Sequence, residues 1–360
     1  MEDDVVWVDF DFMEQFMIDV FTGLGASKED AEICADVLIT SDKRGIDSHG
    51  INRLKPMYYD RIRAGTQLPD ARYEIIRETS STAVIDGHRG MGHATAKHAM
   101  ELAISKAKKH GLGMVVVRNN THYGIAGYYA LMAVNEGMIG ITGTNARPSV
   151  APTYGVEPML GTNPLTIGMP TDEEFPFVLD PATSIIQRGK VEVYARTGEQ
   201  LPSGVVIDSN GDFITDPNLV LVKLLKKEAS FLPIGGKADT GGYKGYGYST
   251  VVEILSSALQ GGAFLQAITG VNVGHFFLAI DVEAFTDLDS FKKTTGDILR
   301  ALRNSKKMPS ESRIYTAGEK EHLAWLERKY KGVPLNKSLQ AEVLQMRDEL
   351  GLKTKFPFED

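Results

Sequence analysis

The sequence predicts an α/β protein with a mixed, partly antiparallel sheet, together with a helical domain built from both ends of the chain. Three observations carry this expectation. Apolar residues recur at helical spacing near both termini, strand-length apolar runs alternate with helical patterns between them, and an Asn-Gly pair inside that middle region signals a hairpin. The expected division is residues 1–75 with 312–360 for the helical domain and 76–311 for the α/β domain.

Phe12, Phe16, Val20 and Phe21 keep helical spacing until Gly23 and Gly25 stop the pattern. Ser27 and Asp30 resemble a capping box, ahead of a second helix with Ile33, Val37 and Leu38 as its buried stripe. Beyond the polar stretch "GIDSHGINRL", the segment "RLKPMYYDRIRAG" predicts a third helix that closes at Gly65. Strands are expected at "TAVID", "GMVVVR" and "MIGITGTN", and helices with glycine stops at "TAKHAMELAISKAKKHG" and "AGYYALMAVNEG". "NPLTIGMP", "PFVLD" and "KVEVYAR" read as further strands, and Asn210-Gly211 in "VVIDSNGDFITD" as the hairpin turn. The glycine-rich "LPIGGKADTGGYKGYG" leads into the helix "STVVEILSSALQGG". A strand "HFFLAID" and a long helix around "LDSFKKTTGDILRALRNS" follow, before the terminal helices "EKEHLAWLERKYKG" and "SLQAEVLQMRDELG".

Composition narrows the function classes. With 42% hydrophobic and 24% charged residues over 360 positions, the chain is an ordinary globular one, long enough for two domains. The balance of 39 basic against 47 acidic residues gives a net charge of −8, which argues against nucleic acid and for a small-molecule partner. Cys34 is the only cysteine, so neither an intrachain disulfide nor a cysteine-rich metal site is expected. The acidic start lacks the basic region of a signal peptide, and no apolar run approaches the roughly 20 residues that cross a bilayer. A cytoplasmic protein without membrane contact is expected.

Several polar clusters could carry chemistry. In "DGHRGMGHATA" Gly90 and Gly92 fit a dinucleotide fingerprint, but Thr95 holds the third glycine position, so an ordinary Rossmann site is not predicted. His122 in "RNNTHYGIAGYY" lies between a strand and a helix, where open sheets bind ligands, and Gly124, Ala126 and Gly127 would let a flat ligand approach the backbone. Thr144, Asn145, Thr162 and Asn163 are either neutral ligand contacts or the residues of two tight turns. Asp180 stands at a strand end, with the hydroxyls of Thr183 and Ser184 behind it. Lys244, between glycines just before a helix, makes a seat for phosphate. In the polar stretch, Arg53 offers a fork for a carboxylate, His49 can exchange a proton near neutral pH, and Ser48 could orient the imidazole. A plain helix junction explains residues 47–53 equally well. Adjacent Asp47, Ser48 and His49 do not make a hydrolytic triad, and the eight histidines show no zinc-ligand spacing, so no metal is expected.

Taken together, "DSHGINRL", "NNTHYGIAGYY", "GTNP", "LDPATSIIQRGK", "GGYKGYG" and "YTAGEKE" resemble, over nearly the whole chain, the family of malate and L-lactate dehydrogenases of the second, non-Rossmann type. The long glycine loop looks most like its archaeal malate dehydrogenase branch. The resemblance implies a non-Rossmann NAD(P)-binding domain and an oxidoreductase, active as a homodimer, that uses NAD or NADP to interconvert 2-hydroxy and 2-oxo acids, first (S)-malate and oxaloacetate. Lactate, sulfolactate, ureidoglycolate and cyclic imines are the alternatives within the family, and a histidine-dependent hydrolase is the alternative outside it. The resemblance further implies catalytic roles for His122, His49 and Ser48, with the proton assigned first to His122, and substrate contacts from Arg53, Thr162, Arg188 and Gly189. Cofactor contacts would come from His122, Tyr123, Gly124, Ile125 and Ala126, from Ala146, from Asp180, Pro181 and Ala182, from Tyr243 and Lys244, and from Gly318, Glu319 and Lys320. Lys190 stands where the imine-reductase branch has an aspartate behind its serine and histidine, which weakens the imine reading.

Overall fold

The computed structural model describes residues 5–359; the first four residues and Asp360, inside the expected helical domain, lie outside that range. A short strand β1 (Val6–Val8) leads into helices α1 (Phe10–Gly23) and α2 (Lys28–Lys43). Ser27 caps α2 by accepting from the Asp30 N–H at 3.2 Å, as the capping pattern predicts. The polar stretch forms 3₁₀ turns at Asp47–His49 and Ile51–Arg53, and the single helix expected from Arg53 onward is divided into a π-helical segment Leu54–Tyr59 and α3 (Asp60–Arg63). Pro56 inside the π-helical segment has no N–H to donate, so the regular α ladder cannot run through it.

The central region runs β2 (Glu74–Glu78), β3 (Thr82–Asp86), α4 (Gly92–His110), β4 (Leu112–Asn120), α5 (Ala126–Asn135), β5 (Met138–Thr144), β6 (Leu165–Met169) and β7 (Phe177–Leu179). Next come α6 (Arg188–Thr197), β8 (Val206–Asp208), α7 (Pro217–Leu225), β9 (Ala229–Phe231) and α8 (Gly242–Leu255). The chain ends with β10 (Val273–Asp281), α9 (Leu288–Arg303), α10 (Glu319–Arg328), β11 (Val333–Leu335) and α11 (Lys337–Leu350).

Seven strands form one sheet in the order β2-β3-β4-β10-β5-β6-β7, in which only β3 and β4 are parallel. The sheet is therefore mixed, as predicted. Helices α4 and α5 bring small residues against it: a Cβ at Gly113 would stand 2.0 Å from the Ala103 carbonyl oxygen, and one at Gly140 would stand 2.5 Å from that of Ala130. A second core draws on α1, α2 and the chain's far end, where Phe356 meets Phe12 and Phe16 edge-on and β1 pairs with β11. A third, smaller core forms around α6, α7, β8 and β9.

One expected strand is corrected. "KVEVYAR" is not a strand but most of α6, because Val191 and Tyr194, three residues apart, turn one face onto the third core. Its β-branched residues mimic a strand pattern, while left-handed Gly198 ends the helix. The Asn210-Gly211 turn closes a short antiparallel pairing as expected, with an Ile207 to Phe213 bridge and the Ile214 N–H donating to the Val206 carbonyl at 3.2 Å, while the ladder partner of β8 is β9.

Candidate active site

The polar stretch after α2 is fastened from several sides. Asp42 accepts the Ile51 N–H at 2.9 Å, and Gly50 lies so close that a Cβ there would overlap the Asp42 carboxylate at 1.9 Å. Ser41 donates to the Ile46 carbonyl at 2.7 Å, and Arg328 of α10 binds the Asp47 carboxylate and the Asp42 carbonyl. This fixed loop presents His49, whose Nδ1 lies 2.9 Å from Ser48 Oγ. Arg53 donates through Nε to the Ser48 carbonyl at 2.6 Å, which leaves its two terminal amino groups without a described protein partner. Asp47 is engaged by Arg328, and among the described residues no carboxylate is bonded to His49, so these residues do not assemble a hydrolytic triad. Lys190 places its ammonium over the Tyr194 ring, 5.4 Å from its centroid.

His122 enters from the sheet, on the turn between β4 and α5. Its ring stacks beside that of His49, with centroids 5.7 Å apart and planes 23° from parallel. The two histidines that sequence alone could not connect, 73 positions apart, thus share one site. Tyr58, from the π-helical segment, brings its hydroxyl 2.5 Å from His122 Nδ1, and the Gly124 N–H donates to the same nitrogen at 3.2 Å. A backbone N–H can only donate, so Nδ1 is an acceptor and the neutral ring carries its proton on Nε2. Gly124 itself is required for packing: its φ is +79°, and a Cβ would meet Val37 at 2.6 Å.

Electrostatics keep this group neutral. Burial, reinforced by the Arg53 charge, holds His49 down at about 4. Burial also pushes His122 well below the ordinary histidine value, and the neighbouring His49 and His93 and the Arg53 and Arg61 guanidiniums act in the same direction. His93, buried against the Tyr58 ring at 4.6 Å, is lowered to about 3 by burial. Among the described residues, no carboxylate forms an ion pair with Arg53, Arg61 or Arg147. Two neutral histidines thus stand together under the influence of Arg53 and Arg61, neither of which has a carboxylate partner among the described residues.

The other predicted residues divide into structural ties and open groups. Asp180 accepts the Gly127 N–H at 2.7 Å and the Thr166 hydroxyl at 2.6 Å, fixing the start of α5 against the sheet, with burial raising its carboxyl. Thr144 and Asn145 bond to β10 at Gly274, and Asn163 accepts the Ala146 N–H at 3.2 Å while donating to Glu253 of α8 at 2.8 Å. Thr162 offers its carbonyl to Thr183, and Pro181 offers its own to Leu165. Glu319 is buried and pairs with Arg313, while Lys320 lies 5.0 Å above the Tyr315 ring. Left-handed Gly318 borders a groove of 260 Å³ shared with Arg44, Phe175 and His322. Arg188 pairs with Glu192 one turn along α6, Gly189 is open, and no described contact brings either to the histidines.

Tyr243 and Lys244, in the first turn of α8, are exposed. Among the described residues Lys244 has no carboxylate partner, and the helix starts at left-handed Gly241 without a side-chain cap. The Gly242 N–H donates to the Lys237 carbonyl and the Lys244 N–H to that of Gly241, so the ammonium of Lys244 and the small-residue turn beside His122 are the groups that could hold a dinucleotide, the first towards its phosphates and the second towards its nicotinamide end. Sequence reading missed Tyr58, His93, Arg61 and Arg147. All four sit in segments whose helical or turn pattern gives no sign of what they face across the fold.

The chain is similar to known proteins over nearly its whole length. The malate/L-lactate dehydrogenase family description matches residues 8–344. The chain is 45% identical over 359 residues to the malate dehydrogenase of Pyrococcus abyssi, covering 98% of this chain and 97% of that protein. It is 36% identical over 344 residues to the malate/(S)-sulfolactate dehydrogenase of Methanothermus fervidus, covering 94% of this chain and 96% of the relative. Among solved structures, malate dehydrogenase from Entamoeba histolytica superposes with a TM-score of 0.95 at 46% identity, covering 98% of this chain and all of that one. With match and fold both spanning nearly its full length, the chain belongs to the malate/L-lactate dehydrogenase family of oxidoreductases, whose activity implies a nicotinamide cofactor.

Proposed function

We propose that this chain is an NAD(P)-dependent malate dehydrogenase that interconverts (S)-malate and oxaloacetate. The observation that carries the reading is the stacked His49 and His122 pair set among arginines that no carboxylate neutralises. Such a site calls for a ligand with negative charge and an exchangeable proton, and a 2-hydroxy dicarboxylate has both.

Arg53 binds the C1 carboxylate through its free amino groups and so fixes the reacting carbon, a positioning role. A bound nicotinamide would supply or take up the hydride at C2 of the substrate. His122 is assigned the proton first and His49 second. With oxaloacetate in place, the two carboxylates offset the arginine charges and favour the imidazolium, which donates from Nε2 to the forming alkoxide. The proton that makes the imidazolium enters from solvent on Nδ1, so the ring draws away from the Gly124 N–H and the Tyr58 hydroxyl turns from donor to acceptor. Malate oxidation runs the same exchange backwards. His49 is held by Ser48 alone, since no aspartate stands at Lys190.

A homodimer and a cytoplasmic setting belong to the same reading. The dimer is supported by Tyr248, Val251 and Ile254, which expose an apolar stripe at helical spacing on α8. Exchange of each histidine for asparagine tests the proton assignment. His122→Asn should lower kcat by about 10² to 10⁴-fold and His49→Asn by less. Near-normal turnover of His122→Asn with a collapse of His49→Asn would reverse the order.

A further inference from the structure

Arg61 is a charged group held by neutral partners. Its Nη1 donates to the Gly270 carbonyl at 2.9 Å and its Nη2 lies 3.5 Å from the Met57 sulfur. The charged group nearest to it in effect is another cation, Arg147, which together with burial lowers the Arg61 value. Arg147 is exposed on the loop after β5 and lies against the other side of Gly270, where a Cβ would meet its Cδ at 3.1 Å. Two guanidiniums thus converge on one glycine with no acid between them. Removing a cation from water without a counter-ion is costly, and a fold that keeps two together leaves room for an anion that arrives with the ligand. Arg61 and Arg53 both bear electrostatically on Tyr58 and on His122, so the proton-exchange pair is influenced from two cationic centres. Arg188, the only other cation among the expected substrate contacts, is already paired with Glu192.

We propose that Arg61, with Arg147 beside it, binds the distal anionic group of the substrate, while Arg53 holds the carboxylate next to the reacting carbon. This rests on the functional reading above and deepens it: the substrate class becomes a three- or four-carbon 2-oxo or 2-hydroxy acid with a second anion at its far end. A carboxylate and a sulfonate share that chemistry. The arginines act as selectivity groups and carry no proton in the exchange, although their charge bears on the histidines that do.

The test measures kcat/KM for oxaloacetate, for its sulfonate counterpart sulfopyruvate, and for pyruvate, which lacks the distal anion, in the wild type, Arg61→Gln, Arg61→Lys and Arg147→Gln. Loss of a charge-assisted fork predicts that the oxaloacetate-to-pyruvate ratio falls about 10²-fold in Arg61→Gln, with part restored in Arg61→Lys, and about 10-fold in Arg147→Gln. A general loss of structure would lower every substrate together and leave the ratio alone. An unchanged ratio in both glutamine variants overturns the proposal, and if Arg61→Gln does not fold, the exposed Arg147→Gln decides. The comparison of sulfopyruvate with oxaloacetate identifies which distal anion the pair prefers. Calorimetry with succinate and butyrate gives a readout free of turnover: tighter binding of succinate, weakened in Arg147→Gln, supports the anion pair, and equal binding of the two acids opposes it. A wild type that turns over none of the three oxo acids would instead sink the functional reading, whatever the calorimetry shows.

Discussion

Because burial keeps the site histidines neutral, malate oxidation should persist at acidity that would silence an ordinary histidine base. The perturbation is pH, followed through kcat/KM for malate, which reports groups of the free enzyme. With His49 at about 4 and His122 well below its usual range, a drop to pH 5.5 leaves the base form almost intact. A base with a value of about 4 would still be roughly 97% neutral there, whereas an unperturbed one at about 6.5 would be only about 9% neutral. The two cases differ about elevenfold in rate. Initial rates of absorbance growth at the reduced-nicotinamide band, taken from pH 8 to pH 5.5 at malate well below KM, measure this directly, with malate's own carboxyls titrated separately. A fall of tenfold or more with a midpoint between pH 6 and 7 would refute the reasoning, because it would mean that the arginines and the burial do not set the proton affinity of the pair.

Lys244→Ala should raise KM for the nicotinamide cofactor about tenfold or more while leaving KM for oxaloacetate little changed; equal cofactor affinity in fluorescence titration would remove Lys244 from the phosphate site. Stability should fall with acid. His93 and His275 are buried and held at about 3, so the unfolded chain takes up their protons as pH drops below about 6.5 and the folded chain does not. Their neutral-state contribution is therefore present above that value and is lost as pH falls, by about 2 kcal/mol each between pH 7 and pH 5. Urea unfolding at the two pH values checks this, and an unchanged free energy would contradict the burial of both rings.

Sequence patterning was most informative where period and length agreed. The long helices α1, α2, α4 and α9 and the strands β3, β4 and β10 were legible because each presents a continuous apolar face with clear stops. "KVEVYAR" misled because Val191 and Val193 alternate like a strand, while the contact that decides the matter, Val191 with Tyr194 on the third core, belongs to tertiary structure. Three-residue strands such as β1 and β11 carry no periodic signal and exist because each completes the other.

The site divides the same way. Residue chemistry marked His49, Arg53 and His122, and Ser48 stands against His49 as that reading suggested. What could not be read was adjacency: Tyr58 and Arg61 lie on a segment that looks like a plain amphipathic helix, and only the fold turns them toward His122. Asp180, marked as a ligand contact, and Asn163, read as either a contact or a turn residue, use their side chains to tie the sheet to α5 and α8. Short polar side chains next to glycine serve structure and ligand in the same local pattern, so composition could not separate the two.

The central claim is that a neutral histidine pair among unpaired arginines serves hydride exchange on a dianionic 2-oxo acid. Its most direct test is loss of absorbance at the reduced-nicotinamide band while oxaloacetate, pyruvate, sulfopyruvate and a cyclic imine are offered in turn, with NADH and NADPH run in parallel. The account predicts rapid oxidation with oxaloacetate, slower turnover of pyruvate and none of the imine. Oxidation driven by the cyclic imine alone, or by no 2-oxo acid with either cofactor, would contradict it.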